Sequence, residues 1–279
     1  MKSFKNKVAA ITGAGSGIGR SLAIALAADG AEVALSDVNE QGLEDTAALV
    51  KRSSGGRVTT RKLDVADRKA VQAWADSVVQ DHGRVNMIFN NAGVGLGSTI
   101  EGVTYDDFEW IMNINFWGVV YGTKSFLPYL RAAGEGHVIN VSSVFGLHGA
   151  PGNGAYNASK FAVRGFTEAL RLELEMSGGG VSCTSVHPGG IKTNIARSSR
   201  ISENIETFLN KDAATARDNF EQTFITTPES AARTILRAVQ RNKRRVLIGP
   251  DALATDIVVR LFPSLHQHVV MAFARKAQR

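Results

Sequence analysis

The sequence predicts an α/β protein built on one doubly wound parallel sheet, and three observations carry that prediction. Short apolar runs alternate with helix-like stretches along most of the 279 residues. A glycine-rich turn stands at the first junction between a run and a helix, and an acidic residue ends the second run. Alternation of this kind places the strands parallel in one sheet, with connecting helices on both faces.

Val8–Ile11 is the first run, short and apolar enough for a buried strand. It passes directly into Thr12-Gly13-Ala14-Gly15-Ser16-Gly17-Ile18-Gly19. Glycines there allow a tight turn and let a ligand phosphate approach the backbone. The helix that follows, read over Ser21 to Ala28 from its Ala and Leu content, offers free N–H groups and the positive end of its dipole. The spacing is G-x-x-x-G-x-G, not G-x-G-x-x-G, so the position of the turn carries the signal. The second run, Val33–Leu35, leads to Asp37, 18 residues beyond Gly19. A carboxylate ending the second strand can bind the ribose hydroxyls of NAD, and it repels the extra phosphate of NADP. No Arg or Lys stands beside it in Leu35-Ser36-Asp37-Val38-Asn39, and Ser16 occupies the loop where a cation would have favoured NADP.

Further strands are expected at Val58–Lys62, Met87–Phe89, His137–Val141, Val181–Val186 and Val246–Ile248, with turns such as Gly55-Gly56 and Gly178-Gly179-Gly180 between elements. Ligands of such sheets bind beyond the carboxyl ends of the strands, near the switch in strand order. The glycine turn, Asp37, Asn91, Ser143 and Pro188 all follow strand runs, so they are expected to gather at that edge.

Tyr156 and Lys160 lie four residues apart, about one helical turn, which puts both on one face of a helix. A phenol holds its proton until a pKa of about 10, and a nearby ammonium lowers that value. A tyrosine tuned in this way can exchange a proton with an alcohol or ketone near neutral pH. No cluster of Cys or His has metal-ligand spacing, so a metal-free reaction is expected.

Composition fits a single large domain, with 44% hydrophobic and 21% charged residues. One cysteine, Cys183, excludes an internal disulfide and suits a reducing cytoplasm. It falls in an apolar run and reads as buried and inert. The N-terminus has no apolar leader, and no run approaches the roughly 20 apolar residues of a membrane span. The net charge is +6, densest in Arg241-Asn242-Lys243-Arg244-Arg245. That run lacks interleaved aromatic residues and reads as a solvated face, so no nucleic-acid partner is expected.

Taken together, these motifs resemble the short-chain dehydrogenase/reductase family, from about residue 5 to about residue 250. The resemblance rests on the glycine turn, Asp64-Val65, Asn90-Asn91-Ala92-Gly93, Asn115, Ser143 thirteen residues before Tyr156, Lys160, and Pro188-Gly189-Gly190-Ile191-Lys192-Thr193. It implies a Rossmann fold in residues 1–250, and a catalytic set of Asn115, Ser143, Tyr156 and Lys160. Tyr156 would move the hydroxyl proton, Ser143 would position the reacting oxygen, and Lys160 would hold the nicotinamide ribose and lower the Tyr156 pKa. Asn115 would support a water leading to Lys160. The implied cofactor site comprises Gly13, Gly15, Ser16, Gly17, Ile18 and Gly19 with Asp37, Asp64, Val65, Asn91, Ala92 and Gly93, completed by Tyr156, Lys160, Pro188, Gly189, Ile191 and Thr193. The expected cofactor is NAD, with NADP the less favoured alternative. The expected substrate is a small-molecule secondary alcohol or ketone.

The resemblance also implies a homodimer or homotetramer joined through the helices around Phe108–Leu130 and Tyr156–Met176, with Phe161, Phe166 and Leu170 as candidate contacts. A substrate loop is expected over residues 194–224, with Ile195, Ile201, Ile205, Phe208 and Leu209 as its apolar members. Val94, Leu96, Phe145, Leu147 and His148 are candidate pocket walls, which favours a lipophilic substrate. Two rival readings stand beside this one, an NADPH-dependent ketoreductase and a dinucleotide-binding regulator without turnover. Residues 251–279 form an extension in which Leu253, Ile257, Leu261 and Leu265 recur every four residues, interrupted by Pro263. Arg260, Arg275, Lys276 and Arg279 accompany the stripe. It can pack on its own domain or a sister subunit, cap a lipophilic pocket, or rest on a membrane surface.

Overall fold

The computed structural model describes residues 1–54, 56–210, 212, 215, 218, 221–222 and 224–277. The elements run β1 Val8–Thr12, α1 Gly17–Ala28, β2 Glu32–Asp37, α2 Glu40–Ser54, β3 Val58–Lys62, α3 Arg68–His82, β4 Met87–Asn90, β5 Leu96–Gly97 and α4 Tyr105–Met112. A π-helical turn, Asn113–Trp117, leads into α5 Gly118–Ala132, then β6 Gly136–Val141, a 3-10 turn Val144–Gly146 and α6 Gly154–Ser177. The chain continues with β7 Val181–Pro188, β8 Arg200–Ile201, α7 Glu203–Leu209, α8 Pro228–Gln240, β9 Arg245–Ile248, α9 Pro250–Leu261 and α10 His266–Ala277.

Seven strands form one parallel sheet in the order β3-β2-β1-β4-β6-β7-β9. The order reverses between β1 and β4, so the switch lies where Thr12 and Asn90 end their strands. Period-two alternation divides the strand residues between two cores. On one face Ala9, Ile11, Val33 and Leu35 meet Leu22, Leu26, Leu43, Val50, Ile235 and Val239 from α1, α2 and α8. On the other, Val8, Ala10, Ala34, Ile88 and Val138 meet Val71, Trp74, Phe126, Leu130 and Leu174 from α3, α5 and α6. Each fully buried Val, Leu, Ile or Phe among them contributes about 1.5–3 kcal/mol. Trp74 and Phe126 also meet edge to face, with ring centroids 5.1 Å apart.

The expected strands are present, and most extend further at polar residues. Glu32, Ser36 and Asp37 belong to β2, and His187 and Pro188 to β7. The helix expected from Ser21 starts at Gly17. Glycines are poor helix formers, but here their missing side chains let the first turn of α1 pack against the preceding loop. Of the expected Gly55-Gly56 turn, Gly55 lies outside the described residues. The two-stranded β5–β8 pair carries no signal of its own in the sequence. Cys183 is fully buried, and burial pushes its thiol up to about 12, which fits an inert residue.

Of the three candidate subunit contacts on α6, Leu170 belongs to the core, because its position on the helix faces the sheet. Phe161 is exposed, and Phe166 packs edge-on against Phe116. Two cations of the basic cluster are committed within the chain. Arg244 pairs with Glu175 at 2.6 Å, and Arg245 grips Asp256 with two bonds of 2.8 and 2.7 Å. Arg260 adds bonds of 3.1 and 3.0 Å to the same carboxylate, so α9 is tied to β9. Burial alone would raise the Asp256 pKa, but the two guanidinium groups hold it below the usual carboxylate value. The extension breaks at Pro263 as expected, between α9 and α10. Lys276 and Arg279 of its basic set lie outside the described side chains. Among the described residues no helix is long and apolar enough to cross a membrane.

Candidate active site

Thr12 joins the two strands at the switch. Its Oγ1 donates to Phe89 O at 3.2 Å and accepts from Asn91 N and Ala92 N, each at 3.0 Å. Asn91 Nδ2 returns the contact, donating to Thr12 O at 3.0 Å and Gly13 O at 3.2 Å. The glycine turn is thereby stitched to the segment after β4. Gly13 has a φ of 64°, and a Cβ there would lie 2.8 Å from Ala92 Cα. A Cβ at Gly19 would lie 2.1 Å from Gly13 O. Only glycine at both positions permits this turn.

Asp37 projects from the end of β2 onto the same edge. Its Oδ2 accepts from Gly15 N at 2.9 Å and its Oδ1 from Asn39 N at 3.0 Å, so the carboxylate is fixed before any ligand binds. A cation missed by the sequence reading stands close by. Arg20 donates through Nε to Thr46 Oγ1 at 3.0 Å and through Nη2 to Gly15 O. Its position in the first turn of α1 brings it to Gly15, which itself donates to Asp37, a neighbour that inspection of residues 35–39 alone does not reveal. Asp64 is exposed, with Ala66 N donating to it at 2.9 Å, and Val65 is buried against Gly118.

The 3-10 turn after β6 and the first turns of α6 bring Ser143, Tyr156 and Lys160 together. The Tyr156 hydroxyl is hydrogen-bonded to Ser143. Lys160 is buried, its Nζ donates to Val141 O at 3.2 Å, and it sits 5.6 Å from the centroid of the Tyr156 ring. Burial lowers the Lys160 pKa to about 8. The expected lowering of Tyr156 is not what the protein alone gives. Burial raises its pKa, and the Ser143 hydrogen bond opposes the rise. The physical reason is desolvation of the phenolate, with Lys160 itself discharged more easily and its Nζ bonded to a carbonyl.

Asn115 sits in the π-helical turn, a distortion frequent at functional sites. Its side chain closes a two-way clasp on Val94, accepting from Val94 N at 2.8 Å and donating to Val94 O at 2.9 Å, with a further bond to Ser159 Oγ at 3.1 Å. A Cβ at Gly93 would lie 3.2 Å from Asn115 Oδ1 and 3.3 Å from Lys160 Nζ. The missing side chain leaves a small space between those two polar groups.

Residues behind the site were less legible. Asn157 donates to Phe145 O and His148 O, both at 2.7 Å, and accepts from Ala150 N at 3.0 Å, which fixes the loop over Tyr156. An Asn in the first turn of a helix is its only sequence signal. His187 is fully buried and, lowered by burial to about 4, stays neutral. Its Nδ1 donates to Ser143 O at 3.1 Å, so its Nε2 accepts from Ser185 Oγ at 2.9 Å. This histidine therefore anchors the backbone of Ser143. His148 lines the cavity, and burial lowers its pKa.

One cavity of about 1170 Å³ runs along this edge. Most of the expected cofactor residues line it, from Gly13, Asp37 and Asp64 at one end to Ile191 and Thr193. Gly15, Gly19 and Asn115 do not line it; they hold Asp37, the glycine turn and Val94 instead. Val94, Leu96, Phe145, Ile201, Ile205 and Phe208 give the cavity an apolar stretch of wall. Leu147 is buried outside it, and the Leu209 side chain lies outside the described residues. Val270 and Ala274 of α10 also face the cavity, so the extension forms part of its wall. Among the described residues no group of three or more His, Cys, Asp or Glu could hold a metal ion. The cradle of close glycines, a helix N-terminus and a fixed carboxylate fits a dinucleotide.

Comparison with known proteins agrees with this geometry. Residues 7–204 match the short chain dehydrogenase family. SadH of Mycobacterium tuberculosis, a protein named as an oxidoreductase, is 46% identical over 277 residues, 99% of this chain and 98% of SadH. A short chain dehydrogenase/reductase from Burkholderia phymatum, solved in complex with NAD, is 31% identical with a TM-score of 0.87, covering 95% of this chain and 97% of its own. A short chain dehydrogenase from Mycobacterium paratuberculosis, solved bound to NAD, is 25% identical with a TM-score of 0.75, covering 88% of this chain and 97% of its own.

The buried Lys160 gives a prediction about stability. Its pKa in the folded protein is about 8, against an ordinary 10.5. Between those values the unfolded chain binds more protons, so this residue makes stability rise with pH across that window. The full rise is about 3 kcal/mol at about 1.4 kcal/mol per pH unit. Urea unfolding from pH 7.5 to 10.5 is expected to show this rise in the wild type relative to Lys160→Met, which keeps the length and loses the charge. Parallel curves for the two proteins would show that Lys160 is not desolvated.

Proposed function

Because the chain belongs to the short chain dehydrogenase family, we propose that it moves a hydride between NAD(H) and a secondary alcohol or ketone of lipophilic character. The observation that carries this reading is the convergence of Ser143, Tyr156 and Lys160 on one cavity with the glycine turn and Asp37. The Burkholderia phymatum structure holds NAD, which supports the same cofactor here. Bound in the cradle, NAD supplies the hydride acceptor, its nicotinamide ring. Tyr156 takes the hydroxyl proton of the alcohol or, in the reverse direction, returns it to the ketone. Ser143 orients the reacting oxygen beside Tyr156. Lys160 is the cation placed to offset the burial of the tyrosinate and to hold the nicotinamide ribose. Asn115 keeps Val94 and the space over Gly93 open near Lys160 Nζ, where a proton can pass through water. Ile191 and Thr193 hold the nicotinamide amide. The full set of four polar groups favours an enzyme over a regulator without turnover.

The apolar wall supports a lipophilic substrate, since such walls fix ligands mainly by burial. Residues 1–250 supply the frame and 251–279 an amphipathic extension. Val270 and Ala274 in the cavity wall favour a cap over a membrane anchor. A chain ending at Pro263 is expected to keep its fold and its turnover of short secondary alcohols while losing discrimination between short and long ones. An unchanged substrate profile would leave simple packing as the role of α10.

Tyr156→Phe keeps the ring and deletes the proton-carrying hydroxyl. Turnover is expected to fall by at least about a hundredfold, the usual range for a lost acid–base group, with NAD affinity little changed. Full activity of this variant on a confirmed substrate would end the assigned role.

Cofactor choice rests on Asp37, whose carboxylate is already held by two backbone N–H groups. NAD is expected to give the higher kcat/KM. Asp37→Ala is expected to narrow the gap to NADP by about tenfold, the equivalent of about 1.4 kcal/mol of removed repulsion. Parallel kinetics with both cofactors decide it, and a wild type that prefers NADP would assign the governing charge to Arg20 instead.

A further inference from the structure

Asp251, in the first turn of α9, lies in the extension yet lines the cavity. Its Oδ2 accepts a hydrogen bond from Gly190 N at 2.6 Å. Its Oδ1 is buried and has no hydrogen-bond partner among the described residues. The carboxylate fits between two glycines. A Cβ at Gly189 would lie 2.0 Å from Oδ2, and one at Gly249 would lie 2.3 Å from Oδ1. Gly249 also has a φ of 97°, a conformation that favours glycine. The backbone on either side is therefore shaped to admit this side chain.

The turn it touches, residues 188–193, is fixed from three directions. Gly189 N donates to Ile248 O at 2.9 Å, and Lys192 N donates to Thr226 O at 2.9 Å. Both of those are backbone contacts, so Asp251 supplies the side-chain hold between them. An aspartate at this point is held close by the geometry of Gly249 and Pro250 at the start of α9. The carboxylate thus links the extension to the turn on which Ile191 and Thr193 stand.

We propose that Asp251 is a positioning residue, which clamps the 188–193 turn and sets the pose of the nicotinamide end of the cofactor. The proposal rests on the reading that this turn holds NAD. It makes the extension part of the cofactor site as well as a wall for the substrate. An acceptor bond to a charged group is involved, so its loss leaves the Gly190 N–H unpaired and the turn free to shift.

The test pairs hydrogen exchange in the cofactor-free protein with NADH affinity from fluorescence titration. Asp251→Ala is expected to speed exchange over residues 189–193 and to raise the Kd for NADH, each by about tenfold or more. Asp251→Glu, one methylene too long for the gap between the glycines, is expected to raise the Kd similarly. Asp251→Asn keeps the shape and an acceptor oxygen and is expected to recover most of the loss. A purely structural role predicts lower melting temperatures with unchanged Kd and exchange confined to global unfolding. Folded Asp251→Ala with wild-type exchange and Kd overturns the proposal. If that variant does not fold, equal Kd values for the Glu and Asn variants overturn it. A wild type that binds neither NADH nor NADPH overturns the cofactor reading itself, whereas wild-type binding with unchanged variants overturns the clamp alone.

Discussion

The close approach of Gly13 to Ala92 is the constraint on which the rest of the site depends. The backbone after β1 and the backbone after β4 touch at the point where strand order reverses. Thr12 and Asn91 fix that approach with five hydrogen bonds between side chain and backbone. Once the two segments are locked, the N-terminus of α1 faces the crevice, Asp37 is aligned by Gly15, and Val94 is delivered to Asn115. A side chain at residue 13 would collide with backbone, which cannot swing away as a flexible side chain can.

Ser143, Tyr156 and Lys160 stand on a second hydrogen-bond network. Ser143 is held through its carbonyl by His187, and the loop above Tyr156 is held by Asn157. Ser142 Oγ donates to Lys160 O at 2.7 Å, joining the strand end to the helix that carries both Tyr156 and Lys160. The His187 and Ser142 bonds are buried, where each unmade partner carries a desolvation cost of about 1–3 kcal/mol. The geometry of Ser143, Tyr156 and Lys160 is thus fixed in part by His187 and Asn157, neither of which lines the cavity.

Much of this was legible in the sequence because strong local signals coincided. The strand runs, the turn at Thr12–Gly19 and the Tyr156–Lys160 pair each have a spacing set by backbone geometry, and all met at one sheet edge as alternation requires. What stayed hidden was set by tertiary packing. Arg20 is held between Gly15 O and Thr46 Oγ1 because α1 packs against α2, and Leu170 turns inward because of the phase of α6 against the sheet. The raised Tyr156 pKa could not be read from spacing, since it is set by burial of the phenol, which outweighs the opposing Ser143 hydrogen bond. The π-helical turn at Asn113–Trp117 likewise leaves no mark in composition.

The wall formed by Val270 and Ala274 has an evolutionary consequence. The stitched frame lies within the segment matched to the family, residues 7–204, while this part of the wall lies beyond it. Drift in α10 can therefore reshape the cavity without disturbing a single bond at the strand switch. A lineage carrying such an extension can remodel its cavity by changing its last helix, with the frame at the strand switch inherited intact.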